Sequence, residues 1–174
     1  NMTLVLLATD KYALLFTVLA TFVLMFKMMV NATMTGHYRF KTGGRPPEDV
    51  KFKKGRHHDF HGTATLQAAS PEKQAAIAKA QESLDRHLRI LSNDHENVPL
   101  GLLMAWASVL TIGDRSWAAT FHQVAVLAFL VGRVGHAFAY AYAIQPARSW
   151  CWFLGVVSGL ALGVNAVIGA IELL

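Results

Sequence analysis

One cysteine, Cys151, stands in 174 residues. A lone thiol excludes a disulfide scaffold, a four-thiolate zinc site and a redox CxxC pair. Charge is also scarce. Charged residues make up 16% of the chain against 53% hydrophobic, and the mean hydropathy is +0.34. That balance is too apolar for an ordinary soluble domain and too aliphatic for a disordered chain. There is no internal repeat and no glycine-rich phosphate loop. Lys and Arg number 16 against 11 Asp and Glu. No aromatic platform is interleaved with these basic residues, so no nucleic-acid partner is expected.

What the chain does have is four apolar runs. The first covers residues 12–26 and continues past Lys27 to 34. The second is 98–112, the third 117–132 with an extension past Arg133 to 143, and the fourth 150–174, broken only by Asn165 and Glu172. A spanning helix needs about 20 mostly apolar residues. With their polar helical flanks, the runs read as spans over about 10–36, 82–112, 116–143 and 148–173. The expectation is a single all-α domain over 1–174, an integral membrane four-helix bundle. A soluble helical core is the plain alternative, but the first and fourth runs are apolar on every face. The N-terminal run lacks a basic n-region and a small-residue cleavage site, so it reads as a retained span. Asn31-Ala32-Thr33 matches a glycosylation sequon, but at the end of a span its use is not expected.

The distribution of basic residues sets the expected orientation. Arg39, Lys41, Arg45, Lys51, Lys53, Lys54 and Arg56 face only Glu48, Asp49 and Asp59 in the segment after the first span. A cytosolic loop over about 40–72 follows, with both termini across the membrane. Gly43-Gly44-Arg45-Pro46-Pro47 should end the first helix. Residues 51–70 read as a polar loop. Ser70 and Pro71 then cap and open a helix that runs into the second span and bends at Pro99. His57-His58-Asp59-Phe60-His61 carries metal-ligand side chains, but no distant ligand completes a set, so it reads as a solvated loop with no metal.

Polar groups at membrane depth are costly and usually functional. Three clusters stand out. Arg86, Arg89, Asn93 and Glu96 fall within about a quarter-turn of one helix face, offering guanidinium forks to carboxylates and a carboxylate to an ammonium. An ion-pair lattice between helices is the plain alternative. Arg133, His136 and Tyr140 share a face at i, i+3 and i+7, and Gly132 and Gly135 permit close helix approach. Packing is the alternative for a lone histidine there. Arg148 and Ser149 follow the turn Gln145-Pro146-Ala147 and open the fourth span, an arrangement suited to an anion. The alternative is a snorkelling interfacial arginine. The start of span two, the end of span three and the start of span four share one membrane face. A single pocket for a small zwitterionic, net-anionic ligand therefore accounts for all three clusters. Their restriction to one face counts against a proton or ion pathway.

Five strings carry a family resemblance: Thr35-Gly36-His37-Tyr38-Arg39, Pro47-Glu48-Asp49, Asn93-Asp94-His95-Glu96-Asn97, Leu130-Val131-Gly132-Arg133-Val134-Gly135-His136 through Ala139-Tyr140, and Pro146-Ala147-Arg148-Ser149. In this order on a four-span chain they resemble the MAPEG family, membrane-associated proteins in eicosanoid and glutathione metabolism. The likeness is nearest to its microsomal prostaglandin E synthase and glutathione transferase branches. The resemblance implies a homotrimer with glutathione bound between subunits. It implies that Arg39, Arg89, Asn93, Glu96, Arg133, His136 and Tyr140 hold the tripeptide. It places Arg148 and Ser149 at the sulfur, with Asp49 as a candidate helper. The second substrate would be apolar and would arrive from membrane lipid along a groove between helices one and four.

The chemistry of the residues agrees with this. Glutathione has two carboxylates and one ammonium, which several arginines and one glutamate complement. A guanidinium and a hydroxyl near its thiol favour the reactive thiolate. There are departures. Leu91 and Ser92 replace a His-Arg pair, Trp152 replaces a tyrosine, the Tyr140–Arg148 spacing is one residue short, and the segment from about 51 to 80 is long. They count against prostaglandin isomerisation more than against glutathione binding. The expected function is therefore a glutathione transferase or peroxidase acting on lipophilic electrophiles or lipid hydroperoxides, in the endoplasmic reticulum or another internal membrane, with the site facing the cytosol. The alternatives are a glutathione-dependent prostaglandin-endoperoxide isomerase and a non-catalytic lipid-binding scaffold.

Overall fold

The computed structural model describes residues 10–52, 58–67 and 69–172, and every regular element among them is helical. Helix α1 is Lys11–Thr42, α2 Thr63–Gln67, α3 Pro71–Leu110, α4 Ser116–Ala141 and α5 Ala147–Glu172, with a short 3-10 turn at Pro47–Phe52. Local chemistry sets the helix ends. Asp10 Oδ1 accepts from the amides of Tyr12 at 3.0 Å and Ala13 at 2.8 Å, which satisfies donors that the first turn leaves open. Gly43, at a φ of 78°, ends α1 at the glycine turn expected to end it, so the helix runs on to Thr42, past the apolar span drawn to about 36. The stop is the glycine turn, not the end of the apolar run. Helix α3 opens at Pro71 and runs on through Pro99.

Helices α1, α4 and α5 are long and apolar enough to cross a membrane. The chain is an integral membrane helical protein. Helix α3 is the longest, but the half that contains Asp85, Arg86, Arg89, Asp94 and Glu96 is polar, and only its second half is apolar.

The chain divides into two compact units, Asn1–Met28 with Ser92–Leu174, and Met29–Leu91. The first unit contains a core in three successive layers. Ala13, Val109, Ile112, Ala118 and Ala119 form one layer. Ala20, Ala105, Ala125, Val126 and Leu162 form the next, and Leu24, Val98 and Phe129 the third. Many of these residues are alanines, so the helices approach closely. At Gly132 a Cβ would lie 2.7 Å from the Gly155 amide nitrogen and 2.9 Å from the Cys151 carbonyl, so only glycine lets α4 meet α5 there. Large apolar side chains such as Phe22, Met25, Leu103, Leu127, Leu160 and Val164 point outward instead, as lipid contact requires.

A buried polar layer crosses the same unit. Asn165 donates to Ser108 Oγ at 2.8 Å, and His122 lies 2.8 Å from both Ser108 Oγ and Thr17 Oγ1. The Thr17 hydroxyl donates to the Ala13 carbonyl, so it must accept from His122 Nε2. His122 Nδ1 then accepts from Ser108. The result is a directed chain that ends on backbone. Its presence corrects the expectation that polar residues gather at one face. His122 is hidden in an apolar run, and the hydroxyls of Thr17 and Ser108 carry no charge to reveal them.

In the second unit Asn31 is buried and its amide donates to the His87 carbonyl at 3.1 Å, while the Tyr38 and His87 rings stack at 5.3 Å. The expected solvated loop is corrected in part. His58 is buried with its ring 5.9 Å from Phe40, because the Asp59 and Phe60 amides donate to the Gly43 and Arg45 carbonyls and fold the segment back. Asp59 Oδ1 also accepts from the Thr63 amide at 3.0 Å. His57, Lys53, Lys54 and Arg56 lie outside the described residues.

Candidate functional site

Helical spacing alone places Arg133, His136 and Tyr140 on one stripe of α4, and the structure turns that stripe inward. Arg133 is fully buried, His136 is buried and Tyr140 is half-buried. The His136 and Tyr140 rings meet edge to face at 5.7 Å. The Arg148 guanidinium, from the first turn of α5, lies 4.7 Å over the Tyr140 ring. That cation–π contact fixes a long side chain that would otherwise be mobile. With its amide oxygen turned toward the guanidinium, Gln145 accepts from Arg148 Nε at 3.0 Å. Ser149 Oγ stands 3.3 Å from the same side-chain amide. Arg148, Ser149 and His136 line a cavity of about 460 Å³ whose other walls are Trp150, Trp152 and Phe153. Cation, hydroxyl and buried imidazole therefore share one pocket with an aromatic rim. The pocket can hold an anionic atom next to an apolar group.

Beside it lies a charge cluster built from three helices. Asp94 of α3 has no exposed side-chain surface, and its Oδ1 accepts from Lys27 Nζ of α1 at 2.6 Å and from Arg133 Nη2 at 3.2 Å. Arg133 Nη2 also donates to the side-chain oxygen of Asn93 at 2.5 Å. Here the ion-pair lattice allowed as the plain alternative is real, although it reaches Arg133 and Asn93 through two residues that spacing did not single out. The cluster is also incomplete. Arg133 Nε and Nη1, Asp94 Oδ2 and His136 Nδ1 are buried with no hydrogen-bond partner among the described residues. Two cations share one buried carboxylate. Buried donors and charges are normally paired, so the surplus positive charge and the open guanidinium donors suit an added anion.

The other expected residues are placed differently. Glu96 is exposed and accepts from Ser92 Oγ at 3.4 Å. Arg89 is exposed on α3 and Arg39 near the end of α1, both in the second unit. Asp49, in that unit, is ion-paired to Arg45, whose guanidinium lies 3.9 Å over the Phe40 ring. Arg86 pairs with Glu82, so it does not offer the free fork expected of it. Lys27, Asp94, Trp150 and Phe153 were missed. A lysine interrupting an apolar span was the available signal for Lys27. Asp94 sits in a string with four other polar residues, where sequence gives no means of ranking it.

An apolar cavity of about 620 Å³ lies further along α5, between it and α3, floored by Phe129. The expected groove lies between the first and fourth spans; this cavity lies between α3 and α5. Gly155, Gly159 and Gly163 on α5 and Gly101 on α3 leave the facing surfaces bare, and a Cβ on Gly101 would reach within 2.1 Å of the Phe129 ring.

The MAPEG family model matches residues 17–168, most of the chain. No curated protein matches the chain as a relative.

Proposed function

The chain belongs to the MAPEG family, and from that membership we propose that it is a glutathione transferase or peroxidase acting on lipophilic electrophiles or lipid hydroperoxides. Membership itself supports a glutathione-related membrane protein. The observation that carries the finer reading is the pocket where Arg148 and Ser149 meet under an aromatic rim. A guanidinium about 4 Å from a thiolate is worth about 4 kcal/mol at the effective dielectric of a protein surface. That is enough to bring a thiol of pKa about 8.5 well below neutrality. Ser149 would donate a hydrogen bond to the thiolate sulfur and keep its proton. The thiolate then attacks an electrophilic carbon, forms the C–S bond and expels the leaving group.

In this reading Asn93, Glu96, Arg133, His136 and Tyr140 hold the tripeptide from α3 and α4, and the family resemblance assigns Arg39 and Arg89 to it as well. Asp49 would help at the sulfur only by exchanging its Arg45 partner. The second span is the second half of α3, the basic loop faces the cytosol, and the working assembly is a homotrimer in an internal membrane. The apolar substrate would arrive from the bilayer.

The test is turnover of purified protein with glutathione and either an activated aryl chloride or a lipid hydroperoxide. Saturation in both substrates is expected, and Cys151→Ser should turn over within about threefold of the parent. The Cys151 sulfur packs against Gly135 and does not line the pocket. Silence with both acceptors would contradict the proposal, and inactivation by Cys151→Ser would mean that the thiol chemistry belongs to the protein.

A further inference from the structure

Arg133 is held by more of the bundle than any ligand contact requires. Lys27 Nζ of α1 donates to Asp94 Oδ1 at 2.6 Å and to the Arg133 carbonyl at 3.2 Å. Asn93 and Asp94 of α3 take Nη2 of the guanidinium. On α5, Gly155 has no side chain where a Cβ would stand 2.9 Å from Arg133 Cδ and 3.7 Å from Nη1. All four long helices therefore converge on one arginine. Lys27 side-chain exposure is 13%, and that of Asp94 and Arg133 is 0%.

The charge arithmetic gives this convergence a purpose. Asp94 is the only carboxylate paired with either cation among the described residues, and Lys27 takes the shorter of its two contacts. Arg133 is left with part of a counter-charge and with open donors at Nε and Nη1. If Lys27 were neutral, Asp94 would belong wholly to Arg133, and an incoming anion would have to compete with it.

We propose that Lys27 and Asp94 are positioning residues, a charge device in which Lys27 draws on Asp94 so that Arg133 stays oriented and under-neutralised for a carboxylate of the bound tripeptide. The proposal rests on the glutathione reading above. It deepens that reading by assigning to two further residues the strength of the anion contact. Neither residue touches the ligand; both act through Arg133.

The test is a charge cycle, read as glutathione affinity by calorimetry on the full chain in detergent. Lys27→Met should weaken affinity about tenfold, because Asp94 then neutralises Arg133. Lys27→Arg keeps the charge and should stay within about threefold of the parent. The double variant Lys27→Met with Asp94→Asn restores the net charge of the cluster and frees Arg133, so it should recover affinity to within about threefold. A structural role alone would make the double variant no better than Lys27→Met. If Lys27→Met does not yield folded protein, Lys27→Gln makes the same comparison with a neutral donor to Asp94. Parent-like affinity in Lys27→Met, or no recovery in the double variant, overturns the device. Absence of glutathione binding in the parent overturns the glutathione reading, and this inference with it; binding in the parent with a flat cycle overturns this inference alone.

Discussion

Arg148→Ala should lower kcat by about 10²–10³-fold, the range seen when one donor to a developing anion is removed. It should cost glutathione affinity at neutral pH less, about tenfold, because the lowered thiol pKa is itself binding free energy. A free thiol of pKa about 8.5 is only about 3% thiolate at pH 7, so loss of the guanidinium alone removes most of the nucleophile. The remainder of the effect comes from lost orientation in the step itself. Arg148 is well placed to act as a fixed charge: Tyr140 lies under its guanidinium, and Gln145 is positioned to accept from its Nε. Arg148→Lys should recover only part of the rate, since an ammonium retains the charge but loses the planar fork that stacks on Tyr140. Steady-state kinetics in both substrates separate the cases. Equal losses in kcat and in affinity would move Arg148 from the sulfur to the body of the tripeptide.

Asp94→Ala should be the most damaging substitution for stability. It leaves Lys27, half-buried, and Arg133, fully buried, both cationic and with no counter-charge between them. Breaking a buried pair by removing one partner costs about 3–5 kcal/mol. In detergent this should appear as a fall in melting temperature of about 10 °C, at about 2–4 °C per kcal/mol for a chain of this size. Glu96→Gln, two residues away, is the matched control. Glu96 is exposed and, among the described residues, accepts from Ser92 alone, so the variant's melting temperature should move by about 1 °C or less. Near-equal shifts for the two variants would mean that the cluster does not hold the bundle together.

That contrast shows what sequence could and could not reveal. Asp94 and Glu96 stand in one polar string, and spacing put Glu96 on the ligand face while saying nothing of Asp94. Helix direction decides between them, and it depends on which way α3 is turned against α1 and α4, a tertiary fact that no local pattern encodes. The helices themselves were legible. Apolar runs of spanning length, Pro71 after Ser70 and the Gly43-Gly44 pair mark most of their limits. The Arg133, His136 and Tyr140 stripe was legible because the 3.6-residue period fixes a face wherever a helix forms. Lys27 was visible only as a blemish in an apolar run. The His122 layer was not visible, because its partners come from four helices and are individually unremarkable. His58 was misread as solvated because burial there comes from a backbone fold-back at Gly43 and Arg45, not from the loop's own composition.

The most direct test of the central claim is titration of the detergent-solubilised full chain with glutathione at neutral pH, followed by thiolate absorbance in the ultraviolet. A saturable thiolate signal that is lost in Arg148→Ala is the expected result. Saturable binding with no thiolate signal, or a signal that survives in Arg148→Ala, would contradict activation of the sulfur at the start of α5.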